Sequence, residues 1–286
     1  MVQIFGYEIC KTPLQIQLVI TERCNRRCVW CIERENMSRF YKPNDKLYLK
    51  NLRCVLNQLG DQRIPANVVL TGGEPTLNLD LALGCLDICK EVMPAVVECF
   101  SSDSNKPVKG NKVGINSNGD QNSPLYNHSR LNYIDISFID TMRSAQTYNG
   151  QGIPIRLQTT YRKSVFARGL ESVVSFIDEA ITKGYDDILF RQLVGEDKER
   201  LDIFAMEKEV FSSSEFRCLD YQINVYDLWT KYAYKNHDVY FKRQDLDAQL
   251  LFERMNRGKI CSLVFWPDGK LTKSWDYSNE LFTSSI

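Results

Sequence analysis

Cys24-Asn25-Arg26-Arg27-Cys28-Val29-Trp30-Cys31 sets three cysteines at CxxxCxxC spacing, directly after the apolar run Leu14 to Ile20. In that run Leu14, Ile16, Leu18 and Ile20 repeat with period two, the pattern of a strand with one buried face. A strand thus delivers three thiols onto one tight loop. Three thiolates can hold three irons of a cubane [4Fe–4S] cluster, whereas a complete protein cage takes four cysteines. The fourth iron is then open to another ligand. The competing reading of the spacing is a structural zinc loop with a distant fourth ligand.

A second motif narrows the choice. Thr71-Gly72-Gly73-Glu74-Pro75 follows the apolar run Val68 to Leu70 and precedes a helical pattern. Paired glycines permit close backbone approach and positive φ, and proline stiffens the turn. Glu74 and the backbone carbonyls can accept hydrogen bonds from an ammonium group. Both motifs, in this order, resemble the radical S-adenosylmethionine (SAM) superfamily. The resemblance implies one [4Fe–4S] cluster on Cys24, Cys28 and Cys31, with SAM chelated at the open iron. Reductive cleavage of SAM to a 5′-deoxyadenosyl radical and hydrogen abstraction from a substrate follow from it. Trp30 holds the aromatic place of the family's cysteine motif and is a candidate for stacking near adenine.

Composition agrees with a globular enzyme of this size. The chain has 286 residues, 43% of them apolar and 25% charged, within the range of one large α/β domain. With 36 basic and 36 acidic residues the formal net charge is zero, so no global field favours nucleic acid. No apolar run suits a membrane span, and Met1 to Lys11 lacks a signal-peptide core. Ten cysteines without an export signal point to a reducing, cytoplasmic setting. Cys54, Cys85 and Cys89 fall in helical patterns as small hydrophobes. His128 and His237 are the only histidines, which disfavours a histidine metal centre.

Strand-like and helix-like segments alternate through the first two-thirds. Strands are expected at Leu14–Ile20, Val68–Leu70, Val113–Asn116, Tyr133–Ile139, Pro154–Thr160 and Asp187–Leu193. Helical crossovers are expected between them, with an apolar stripe Leu49, Leu52, Val55, Leu56 and Leu59 closing at Gly60. Six such strands imply a parallel sheet. The resemblance makes the fold an α/β partial (β/α)6 TIM-like barrel over residues 1–195, with a C-terminal extension of helices and a β-hairpin over 196–286. Active groups are then expected at the C-terminal strand ends. The polar stretch 94–111 is expected to be a surface excursion, and the basic, aromatic stretch 34–48 either a lid or a solvated loop.

Beyond Gly72, Gly73, Glu74 and Pro75, candidate SAM or substrate contacts come from strand ends. Asn116, Ser117 and Asn118 close the third strand and suit SAM contacts or a turn cap. Asp135 and Ser137 share one face of the fourth strand, and Arg156 and Gln158 one face of the fifth. Arg156 suits the SAM carboxylate or a structural ion pair. Arg191 on the sixth strand is a further candidate inside the barrel. Residues 188–193 match the family's adenine-binding edge in hydrophobic character only, without its glycines.

Cys261 to Trp275, around Pro267-Asp268-Gly269, reads as a β-hairpin and resembles the opening hairpin of SPASM-type peptide-modifying enzymes. Its usual second cysteine is replaced by Ser274 and Trp275. Only Cys218 and Cys261 lie beyond the barrel, too few for an auxiliary cluster. By resemblance to peptide epimerases, Cys261 first and Cys218 second are candidate hydrogen-atom donors, against the alternative of inert thiols. With 23 residues before Cys24, no N-terminal leader-recognition domain is expected. The expected substrate is a ribosomally made peptide, epimerised or crosslinked, with a one-electron donor such as flavodoxin or ferredoxin. The alternatives are a nucleotide-derived small molecule, by resemblance to molybdenum-cofactor and deazapurine biosynthesis enzymes, and a non-catalytic iron–sulfur or zinc module.

Overall fold

The computed structural model describes residues 3–28, 30–31, 42–93, 95–101, 106–120, 122–148, 152–193, 198–223, 227–244, 246–256, 258–278 and 280–282. Its centre is one sheet. Six strands come first in the chain: β1 (Leu14–Thr21), β2 (Ala66–Gly72), β3 (Val113–Ser117), β4 (Tyr133–Ser137), β5 (Ile155–Tyr161) and β6 (Asp187–Gln192). All neighbours among them are parallel, and each coincides with an expected strand to within about two residues at either end.

Residues after 195 join the same sheet at both edges. β7 (Arg217–Ile223), β8 (Asp227–Tyr234) and β9 (His237–Gln244) form a meander whose last strand runs parallel to β6. β10 (Ser262–Phe265) runs parallel to β1 and turns into β11 (Leu271–Thr272), followed by β12 (Glu280–Phe282). The strand order is β7-β8-β9-β6-β5-β4-β3-β2-β1-β10-β11-β12, an open sheet and not a closed barrel.

Alternation along the strands builds two faces. In β1, Leu14, Ile16, Leu18 and Ile20 are buried against helices, while Gln15 and Gln17 face the other way. The outer layer comprises α1 (Asp45–Asp61), α2 (Leu79–Val92) and α3 (Leu170–Thr182). Buried Leu52, Val55, Leu56 and Leu59 carry the stripe of α1; Cys85 and Cys89 are buried on α2. Asn44 caps α1 by accepting from the Leu47 amide at 3.1 Å.

Two expected helical crossovers differ. Between β3 and β4, and between β4 and β5, the described residues hold only 3₁₀ turns, Pro124–Asn127 and Ala145–Thr147. Tyr126 and Tyr148 fill the outer layer there, edge to face with centroids 5.3 Å apart. The excursion 94–111 contains an antiparallel hairpin, Val97–Phe100 with Pro107–Gly110. Of the stretch 34–48, residues 34–41 lie outside the described residues, and Tyr48 is a core residue against Phe265.

The β10–β11 turn locks onto α1. Asn44 donates its amide to the Pro267 carbonyl at 2.9 Å, and Asn51 Nδ2 donates to the Gly269 carbonyl at 2.8 Å. Gly269 has φ +85°, and a Cβ there would lie 2.9 Å from Leu47 Cγ, so glycine is required twice over.

Candidate active site

The C-terminal ends of β1–β6 and β9 surround a cavity of about 310 Å³. Cys24, Cys28 and Cys31 line one side, with Trp30, Gly72 and Gly73. Asn116, Ser117 and Asn118 come from β3 and its exit, Ser137 and Gln158 from β4 and β5, and Arg191 from β6. Nine of the residues singled out by their motif or strand position therefore meet the cysteines at one place.

Backbone packing fixes the cysteine loop. The Gly73 amide donates to the Thr21 carbonyl at 2.7 Å, and the Glu74 amide to the Arg23 carbonyl at 2.8 Å. A Cβ on Gly73 would sit 2.2 Å from the Arg23 oxygen, and one on Gly72, at φ +126°, 2.4 Å from the Thr21 oxygen. The glycines thus serve the close approach of two strand exits. Arg26 forks onto Asp120 and reaches Asp140 at 3.1 Å, so its charge is matched by carboxylates. Cys24 Sγ accepts from the Arg26 amide at 3.4 Å and from Asn118 Nδ2 at 3.9 Å. Burial pushes the Cys24 and Cys28 thiols up from their ordinary range.

Glu74 does not line the cavity. Its buried carboxylate accepts from the Thr76 amide and hydroxyl, from Ser117 Oγ at 2.8 Å and from the Asn118 amide at 2.7 Å. It clamps the β2 exit to the β3 exit, and its acceptor capacity is spent on the protein rather than on an ammonium group. Pro75 is buried beside it. Asp135 and Arg156 also stand apart from the cavity lining. They share the face of Ser137 and Gln158 but lie two residues deeper, where Arg156 donates bidentately to Asp135 at 2.9 and 2.6 Å. Their geometry is that of a structural ion pair. Above them Gln158 Nε2 donates to Ser137 Oγ at 2.8 Å.

The two candidate hydrogen donors are placed away from the cavity. Cys261 is bonded to Cys10, next to β10 residue Ser262, which pairs with Gln15 at the start of β1 and so lies at the opposite end of the strands. Cys218 is exposed on the edge strand β7.

Two cationic residues were not singled out by sequence. Arg162, just past β5, stacks its guanidinium 3.8 Å from the centroid of Trp30 and donates to the Ile139 carbonyl and to Ser164 Oγ. Burial lowers its pKa, and Cys28 is among the groups that act on it electrostatically. A lone arginine after a strand of mixed polarity carries no spacing signal. Lys242 lines the cavity from β9, 3.5 Å from Asp227 and 4.9 Å from the Trp229 centroid. Only the parallel docking of β9 on β6 brings it there, which no local pattern announces.

These features define a three-thiol site at the mouth of an open parallel α/β sheet, with polar strand ends facing a small-molecule-sized cavity. Residues 18–194 match the family model of the Radical SAM superfamily, more than half of the chain, and the chain belongs to that superfamily. Among curated relatives, the molybdenum cofactor biosynthesis protein moc-5 of Caenorhabditis elegans is 26% identical over 208 residues, covering 71% of this chain and 31% of that protein. Among solved structures, SuiB of Streptococcus suis bound to SAM superposes with a TM-score of 0.56 at 15% identity, over 92% of this chain and 60% of that one. The enzyme anSMEcpe, with bound SAM and a peptide, gives 0.55 at 13% identity, over 92% and 75%. The chain spans under a third of the curated relatives it matches.

The residues present fit the family's cofactors. Three thiols on one cavity wall are a donor set for three irons of a cluster. Asn116 lines the cavity, and its buried Oδ1 has no partner among the described residues. Among the described residues no helix is long and apolar enough to cross a membrane.

Proposed function

We propose that Cys24, Cys28 and Cys31 hold one [4Fe–4S] cluster, and that the adjoining cavity binds SAM for hydrogen abstraction from a ribosomally made peptide, in an epimerisation or crosslinking. The observation that carries this reading is the meeting of the three thiols, Gly72–Gly73 and Asn116–Asn118 at one cavity. When bound and reduced, the cluster supplies one-electron cleavage of SAM and hence a radical able to take hydrogen from carbon. The chain's own residues position and shield. Gly72 and Gly73 close the β1 and β2 exits together, so the cysteine loop is held by backbone hydrogen bonds. Asn116 lines the cavity as a contact for the SAM ammonium or a ribose hydroxyl. Ser137 and Gln158, already bonded to each other, present a preset polar edge. Trp30, backed by Arg162, covers the cysteine side.

The peptide assignment leans on the peptide-bound anSMEcpe fold and on the β10–β11 hairpin. A one-electron donor of the flavodoxin or ferredoxin type is required by the chemistry. A nucleotide-derived substrate is the second reading, favoured by the relative moc-5.

The test is anaerobic reconstitution, with iron and sulfide counted, followed by dithionite and SAM. About four irons per chain, a SAM-dependent change in the paramagnetic spectrum of the reduced cluster, and 5′-deoxyadenosine are expected. Zinc in place of iron, or a cluster that never cleaves SAM, overturns the reading.

A further inference from the structure

We propose that Arg191 and Lys242 form an anion-receiving subsite on the cavity wall contributed by β6 and β9, which takes a carboxylate or phosphate of the substrate. The subsite deepens the proposed function and rests on it for the substrate's identity, although anion binding is measurable without it.

The two cations are register partners on adjacent parallel strands, so their side chains leave the sheet on the same face. Thr160 of β5 stands in the same row, paired with Arg191, and all three residues line the cavity. Among the described residues Arg191 makes no hydrogen bond and no ion pair. Its charge feels Asp135 and Asp227 favourably and Arg156 unfavourably, at a distance, and burial disfavours it most. A guanidinium on the cavity wall without a partner holds five unspent donors. Asp135, one of the two carboxylates that act on it, is spent on Arg156 in a bidentate pair.

Lys242 is only loosely matched. Its ammonium sits 3.5 Å from Asp227 Oδ2, longer than a charge-assisted hydrogen bond, with 18% of the side chain exposed. The surrounding wall adds neutral amides, Gln158, Gln192 and Gln244. Across the cavity the cationic Arg26 is already neutralised by Asp120 and Asp140. The uncompensated positive charge of the cavity therefore lies on the β6–β9 side, away from the cysteine loop. A planar fork beside a point charge is a fitting receptor for a two-oxygen anion. Arg191 lies inside the matched family region and Lys242 beyond it.

The test titrates inorganic phosphate, and separately N-acetyl-glutamate amide, into the reconstituted protein by calorimetry. Saturable binding at about 1–10 mM is expected. Arg191→Gln should weaken it by about tenfold or more, Lys242→Gln severalfold, and Arg191→Lys should restore part of the loss. Circular dichroism confirms that each variant is folded. Preference for the glutamate probe assigns a peptide carboxylate, and preference for phosphate assigns the nucleotide reading; the subsite stands in both. Wild-type protein that binds neither anion, or Arg191→Gln protein that binds like wild type, sinks the subsite. So does a loss of SAM affinity in Arg191→Gln equal to the loss for phosphate, since Arg191 would then serve the SAM carboxylate. SAM cleavage is measured on the same samples: if it is absent while anions still bind, the proposed function fails and the subsite survives.

Discussion

The two sides of the cavity are built on opposite terms. On the β1–β3 side nearly every polar group is committed to another part of the protein. Glu74 spends its carboxylate on Thr76, Ser117 and Asn118, Arg26 is forked onto Asp120, and both glycines are wedged against backbone oxygens. On the β5–β6–β9 side Arg191 has no partner among the described residues and Lys242 has a distant one. A wall whose polar groups are nearly all bonded internally holds one fixed geometry, as a cofactor demands. A wall with unspent donors awaits a ligand, and it is where substrate choice is made.

That contrast can be broken most sharply at Cys28. Cys28→Ala should reduce bound iron to background and abolish 5′-deoxyadenosine formation, read by iron analysis and chromatography. An active variant would remove the cysteine side from the chemistry altogether. Next in size is Arg156→Ala, which strands the buried Asp135 carboxylate and should cost about 3 kcal/mol in urea unfolding. SAM affinity should shift by less than about twofold, because Arg156 does not line the cavity. A large loss of SAM affinity would move the pair from scaffold to site. Glu74→Gln places an amide donor against the Asn118 or Thr76 amide, and should cost about 2 kcal/mol. Cluster retention should fall with it, measured as iron lost over time.

The smallest effect sharpens the other side. Burial pushes the Lys242 ammonium down to about 8, with Asp227 pulling it up and Arg191 and Lys11 pushing it further down. An anion favours the charged lysine, so affinity should be full below about pH 8 and fall severalfold as pH rises above it. In Lys242→Gln the slope should vanish. A wild-type profile flat from pH 7 to 9.5 would remove the lysine from the subsite.

The six central strands and the cysteine loop were legible because each is local: a period-two run followed by a turn residue or a thiol motif. What stayed hidden was depth and long-range pairing. Alternation correctly put Asp135 with Ser137, and Arg156 with Gln158, but could not say that one pair sits two residues nearer the cavity. GGEP was visible as a turn, yet the direction of Glu74 depends on meeting β3 after a long excursion. Lys242 reads as one charge in an alternating strand; its place follows from β9 docking on β6. The two missing crossover helices were invisible for a related reason: Tyr126 and Tyr148 supply in bulk what helices supply elsewhere.

The pairing of β10 with β1, and the seating of its turn on α1, bear on how the protein is made. β1 and the thiol loop leave the ribosome before β10, the strand that covers the open edge of β1. Until β10 is made, the strand that feeds the cysteines has a bare edge and an apolar flank, Val19, that Val264 and Trp266 have yet to cover. The edge of the strand that feeds the thiol loop is therefore closed by a segment made long after the loop itself.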